Sequence, residues 1–156
     1  YGNIKLHGSK FWVAGSTDGN SSKGKINWSG ITFDPSVTKE QRTALISVMH
    51  HLYEVERDSF TITKDARIEW HAGKGSAEAL LDGGKIAEMV LRLTPKMSDA
   101  PVMVQNLKFW GSQSNNGFAL IPSKVSAYRA GDRQFEFRDT SGFVTTIEIT
   151  SKAQLP

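Results

Sequence analysis

The sequence predicts an α+β fold, mostly β: a curved antiparallel sheet or partly open barrel or sandwich, with one main amphipathic helix packed on it. Three observations predict this class. Apolar residues recur with a period of two along most of the chain, turn-forming clusters separate these segments, and a single segment repeats at helical spacing. A length of 156 residues with a hydrophobic fraction of 38% suits one core. We therefore predict a single domain over residues 1–156.

The helix is predicted for residues 39–53, shortly after Pro35. Thr38 and Gln41 have the spacing of a capping box, in which each side chain binds the other residue's backbone N–H. The residues that follow form one apolar stripe at helical spacing: Ala44, Leu45, Val48, Met49 and Leu52. Because such a stripe needs an apolar partner, we expect the helix to cover a sheet.

The strands are predicted where apolar and polar residues alternate. They comprise the segments around Phe60 and Ile62, around Ile68 and Trp70, residues 87–93, the segment around Phe135 and Phe137, and residues 143–149. Clusters rich in Gly, Asn and Asp predict turns at residues 82–84, 115–117, 130–132 and 139–142. Successive strands are therefore expected to pair as hairpins.

One segment breaks the alternation. Across Gly30 the apolar positions change parity, from Ile26 and Trp28 to Ile31 and Phe33. A strand with one extra residue shows such a change, so we interpret Gly30 as a β-bulge.

The charge pattern argues against a nucleic-acid partner. The formal net charge of +3 arises before Ile31, where Asp18 is the only acid beside four lysines, and charges balance in the rest. Those lysines are Lys5, Lys10, Lys23 and Lys25. They are scattered rather than concentrated between aromatic residues, as a nucleic-acid surface requires. No apolar run approaches the roughly 18 residues of a membrane span.

The chain contains no cysteine. This excludes a disulfide framework, a thiolate metal site and a cysteine nucleophile within it. Because the chain begins with Tyr1 rather than Met, we expect either a processed product or a trimmed chain, and we favour a periplasmic or secreted location.

Two catalytic motifs are incomplete or absent in the sequence. Residues 19–25 match the first seven positions of a phosphate-binding loop, but Ile26 occupies the position of the magnesium-binding hydroxyl. A strand is also predicted where that motif requires a helix, so we interpret the match as chance. The G-x-S-x-G pattern of serine hydrolases does not occur.

Aromatic residues supply the first binding hypothesis. A set of five rings is predicted to line an apolar ligand cavity at the mouth of the sheet, or else to belong to the core. The set is Phe11, Trp12, Phe109, Trp110 and Phe118. Among them we take Trp12, Phe109 and Trp110 as ligand-binding candidates.

A row of polar residues supplies the second binding hypothesis. Arg67, Glu69 and His71 project from one face of a predicted strand. The row is typical of a binding surface or an acid/base pair, and equally of an ordinary solvated sheet face.

A possible metal site lies at the end of the predicted helix. His50 and Glu54 are four residues apart and therefore share one face, and His51 is adjacent. The alternative is that these histidines only interact favourably with the C-terminal dipole of the helix.

The order of elements resembles a bacterial family catalogued as domain of unknown function 1326. The resemblance lies in residues 1–6, the strand ending at residues 33–34, the helical residues 37–45, the strand at 66–70, and residues 139–143. That family often carries a cysteine-rich segment ahead of the stretch equivalent to Tyr1, which implies metal or redox chemistry. This segment does not occur in the sequence given, and the resemblance transfers no catalytic residue.

These observations favour a non-enzymatic binding or interaction module for a small apolar ligand or a protein partner, with a homodimer among the expected partners. The alternatives are a metal-handling protein that uses His50, His51 and Glu54, and a hydrolase whose site forms only in the fold. The sequence leaves the cofactor open.

Overall fold

The computed structural model describes residues 3–17, 26–52, 60–96, 98–107 and 114–148. Over these residues the chain forms one helix and eleven strands. In chain order the elements are β1 (Phe11–Thr17), β2 (Ile26–Phe33), α1 (Lys39–Leu52), β3 (Thr61–Ile62), β4 (Ile68–Gly73), β5 (Ser76–Leu81), β6 (Ala87–Arg92), β7 (Val102–Val104), β8 (Ser114–Asn115), β9 (Phe118–Tyr128), β10 (Phe135–Val144) and β11 (Ile147–Glu148). The predicted mostly-β α+β class is confirmed.

The strands form two main sheets. The small sheet has the order β1-β2-β3, and the large sheet has the antiparallel order β10-β9-β6-β5-β4, with β7 also pairing with β9. A short ladder joins β8 and β11. Antiparallel neighbours are β1 with β2, β4 with β5, β5 with β6, and β9 with β10. The turns predicted at 82–84 and 130–132 join β5 to β6 and β9 to β10. The turn predicted at 139–142 is wrong, because β10 continues through these residues from Phe135 to Val144 and pairs with β9 on both sides of them.

The helix begins at the predicted residue. The Thr38 N–H donates to Gln41 Oε1 at 2.9 Å, and the Gln41 N–H donates to Thr38 Oγ1 at 3.3 Å. The capping box is therefore confirmed. Leu45 and Met49 of the apolar stripe pack against Ile31 and Phe33 of β2, so the helix covers the small sheet as expected.

The pairing of β3 with β2 is parallel, which the sequence pattern does not predict. The paired residues are Gly30 with Thr61 and Ile31 with Ile62. Parallel neighbours need a crossover connection, and α1 supplies it. This βαβ unit fixes the helix on the outer face of the small sheet.

The expected bulge at Gly30 is wrong. The register of β1 and β2 runs without interruption through the pair Ala14 and Gly30, and the irregularity lies between Ser16 and Thr17. The apolar parity changes because β2 is covered on both faces: α1 covers Ile31, and Trp28 packs toward the large sheet. Gly30 leaves room for that indole, since a Cβ there would lie 3.0 Å from Trp28 Cζ2.

One hydrophobic core lies between α1 and the small sheet. A second lies between the two sheets, which pack face to face. Ala14 from the small sheet meets Ile68, Leu81, Ala87 and Tyr128 from the large sheet, all of them buried. The resulting order of layers is helix, small sheet, large sheet. No helix within the described residues has the length and apolar character needed to cross a membrane.

Candidate functional groove

A groove of about 460 Å³ separates β1 of the small sheet from β4, β5 and β6 of the large sheet. Trp12 lines one side, and Trp70, Ala79 and Met89 form a row across the three strands on the other. Trp70 remains 51% exposed even though it lies on the same face of β4 as buried Ile68. We call this site the inter-sheet groove.

The backbone of Ile68 fixes one end of the inter-sheet groove. Its N–H donates to Asp34 Oδ2 at 2.8 Å, and its carbonyl oxygen accepts from Lys10 Nζ at 3.1 Å. The Asp34 N–H in turn donates to the Lys10 carbonyl at 3.1 Å. These three hydrogen bonds hold β4 close to the start of β1.

The carboxylate of Asp34 is stabilised in its charged form. Burial raises its pKa, but the hydrogen bonds from the Ile68 N–H and from the Ser36 hydroxyl and N–H outweigh burial. The pKa of Asp34 therefore lies below its ordinary value. Ionisation of this carboxylate therefore strengthens the contact between the two sheets.

Two polar atoms of groove-lining residues lack a partner. Ser9 Oγ and Trp12 Nε1 are buried and have no hydrogen-bond partner within the described part of the chain. Buried polar groups are hydrogen-bonded in the large majority of native sites. The inter-sheet groove therefore combines an apolar lining with unused hydrogen-bonding capacity.

Of the five aromatic candidates, those that the structure describes do not all lie together. Trp12 and Phe11 both line the inter-sheet groove, whereas Phe118 is buried elsewhere and packs edge-on against Phe143. Phe109 and Trp110 lie outside the described residues. Trp70 was missed as a candidate, because alternation gives the face of a strand but not how far the opposing sheet extends over it.

The polar row lies away from the inter-sheet groove. Glu69 and His71 occupy the face of β4 opposite to Ile68 and Trp70. Arg67 forms an ion pair with Glu69 at 3.3 Å, and His71 borders a separate depression of about 320 Å³ beside Glu78. The structure thus does not bring this row together with Trp12, and its role in binding stays a prediction.

We call the face of the large sheet that carries Glu69 and His71 its outer face, and the face that carries Ile68 and Trp70 its inner face. The outer face also carries an ionic network that the sequence pattern does not indicate. Arg129 Nη2 contacts Glu88 at 2.6 Å and Glu136 at 2.9 Å, and Arg138 contacts Glu136 at 2.6 Å. Arg129, and then Arg138, lower the pKa of Glu136 through their hydrogen bonds. These residues join three strands or their ends, so only the strand register reveals their proximity.

The predicted metal ligands are only partly described. His50 is exposed, with its ring centroid 5.6 Å from that of Phe60. The side chain of His51 and the whole of Glu54 lie outside the described residues, as does the phosphate-loop-like segment 19–25. Within the described ranges, no three His, Asp or Glu side chains are grouped to hold a metal ion. The metal-handling hypothesis stays a prediction.

A second groove, of about 440 Å³, lies at the other end of the large sheet. Its lining includes Leu93, Val102, Leu120 and Pro122, together with residues 140–142. It resembles the inter-sheet groove in size and in its apolar lining. It contains no tryptophan and no charged residue among its described lining residues.

The fold and the groove together define a class: a mostly-β α+β domain with an apolar groove between two sheets. No protein-family model, curated protein or solved structure matches the chain. The resemblance to domain of unknown function 1326 therefore stays a prediction.

Proposed function

We propose that this chain is a non-enzymatic binding module that holds a small apolar ligand in the inter-sheet groove. The observation that carries the proposal is the exposed ring of Trp70, which lines one groove with Trp12. Large aromatic surfaces left in contact with water are typical of binding sites. The volume of about 460 Å³ lies within the range of small-molecule sites.

The chemistry of the lining supports binding rather than catalysis. Apart from Ser9 and Lys10, the described lining residues are aromatic, aliphatic or thioether side chains. Within that lining no Asp, Glu or His is placed to act as a general acid or base. Ala79 and Met89 instead provide an apolar floor against which a ligand body fits.

Two measurements test this function. Native mass spectrometry of the purified chain should reveal a co-purified small molecule. Titration with Nile red, a neutral apolar dye, should show saturable binding that Trp70→Ala weakens about tenfold, because the substitution removes one wall of the groove.

The matched control is Phe137→Ala. Phe137 is 57% exposed and extends the same cross-strand row as Trp70, but it does not line the groove. We expect this variant to bind the dye like the wild type. Equal losses in the two variants, or no saturable binding by the wild type, would overturn the proposal.

A further inference from the structure

The polar groups at the inter-sheet groove share one chemical character. Two of the three buried side-chain atoms without a partner in the described residues, Ser9 Oγ and Trp12 Nε1, belong to its lining. An indole N–H can only donate a hydrogen bond, and a serine hydroxyl can donate as well as accept. A group that satisfies both atoms must therefore be an acceptor.

The charge at the groove has a single sign. Lys10 is the one charged residue in its described lining, and its ammonium group has three donors, of which one is used on the Ile68 carbonyl. The neighbouring carboxylate, Asp34, attracts this charge, but it does not occupy the remaining donors of the ammonium group. Its oxygens accept from Ile68 and Ser36, and it forms no ion pair with Lys10.

We propose that the ligand of the inter-sheet groove is an amphipathic carboxylate. Its apolar body packs between Trp12 and Trp70, and its carboxylate lies beside the exposed Lys10 ammonium group. Trp12 Nε1 and Ser9 Oγ are inaccessible to solvent, so they donate to this carboxylate only when their side chains shift on binding. A carboxylate fits because it only accepts, offers two oxygens and carries the charge that complements an ammonium group. This inference rests on the proposed function.

The experiment compares two probes that differ only in the head group. Decanoate and decanol are titrated calorimetrically into the wild-type protein at neutral pH. We expect decanoate to bind about tenfold more tightly, because hydrogen bonds to a charged acceptor are stronger than those to a neutral one. The preference should shrink as salt is added, since Lys10 is exposed.

Two variants assign the preference to named groups. Lys10→Gln removes the charge and keeps a donor, and Trp12→Phe removes the indole N–H and keeps an aromatic ring. Each should reduce the affinity for decanoate more than that for decanol, so that the preference between the two probes shrinks. Lys85→Gln is the control, because Lys85 is exposed in the turn between β5 and β6, outside the groove lining.

The outcomes separate the two proposals. If decanol and decanoate bind equally, or if Lys10→Gln leaves the preference intact, the carboxylate inference fails while the apolar groove stands. If neither probe nor Nile red binds, the proposed function fails as well. Thermal melts of both variants show whether a lost affinity reflects lost folding.

Discussion

The polar groups on the two sides of the large sheet differ in whether they have partners. On the outer face Glu88 and Glu136 both form ion pairs with Arg129, so these two carboxylates have partners within the chain. Opposite the inner face, across the inter-sheet groove, Trp12 Nε1 of β1 and Ser9 Oγ have no hydrogen-bond partner within the described residues. These charged side chains on the outer face are thus paired, whereas the unpartnered polar atoms lie on the side for which we propose binding. The more informative signal is a polar atom left without a partner.

The largest expected effect is a loss of stability when a buried side chain on the inner face of the large sheet is truncated. Leu81 is fully buried on the inner face, in the cluster with Ile68 and Tyr128. Leu81→Ala should lower the free energy of unfolding by about 2–5 kcal/mol, because it removes core contacts and leaves a cavity. Urea unfolding measures this loss.

The neighbouring Leu80 is the matched control, since it is the same residue type on the opposite face of β5 and is only partly buried. Leu80→Ala should cost less than half as much. Equal costs would mean that the outer face is also covered, contrary to the comparison.

The next effect concerns the contact between Asp34 and Ile68, which ties the two sheets together at the groove. Asp34→Ala removes the acceptor of the Ile68 N–H and should cost about 2 kcal/mol, as is usual for hydrogen bonds to a charged group. Chemical denaturation at neutral pH measures it. An unchanged midpoint would show that β4 is held in place without Asp34.

The pH dependence of the same residue has a defined sign. Because the folded pKa of Asp34 is lowered from 3.8, its contribution to stability is present above that value and is lost as pH falls through the folded pKa. The wild type should therefore lose stability below about pH 4, and Asp34→Asn should lose less over that interval. Asp132→Asn, in the turn before β10, is the control for removing one charge.

The smallest effect is expected on the outer face. Arg129→Met removes the shared partner of Glu88 and Glu136 but leaves both carboxylates in contact with water. Ion pairs of this kind contribute little to stability, so the melting temperature should stay close to that of the wild type, with a weaker salt dependence. A fall as large as that of Leu81→Ala would contradict this ranking of the two faces.

Local features of the fold were predictable from the sequence. The capping box of Thr38 and Gln41 involves atoms three residues apart, and the alternation that places Ile68 and Trp70 on one face is a property of a single strand. Both depend on short-range geometry that the residue types determine.

Features that depend on distant segments were not predictable. The parity change at Gly30 reflects burial of β2 between the helix and the large sheet, not a bulge. The inter-sheet groove needs Trp12 and Trp70, which are 58 positions apart in the chain, to line one cleft. Trp12 was chosen for its residue type, while Trp70 was overlooked because only the packing of the sheets determines its exposure.

The parallel pairing of β2 with β3 has a consequence for how the chain folds. Joining these strands closes a long loop that contains α1, which carries an entropic cost before any contact forms. A helix that begins with its own capping box forms locally and shortens the distance that the chain must search. We infer that α1 and the β1–β2 hairpin precede the addition of β3, so that the amide of Thr63, bonded to the Ile31 carbonyl at 2.9 Å, becomes protected late.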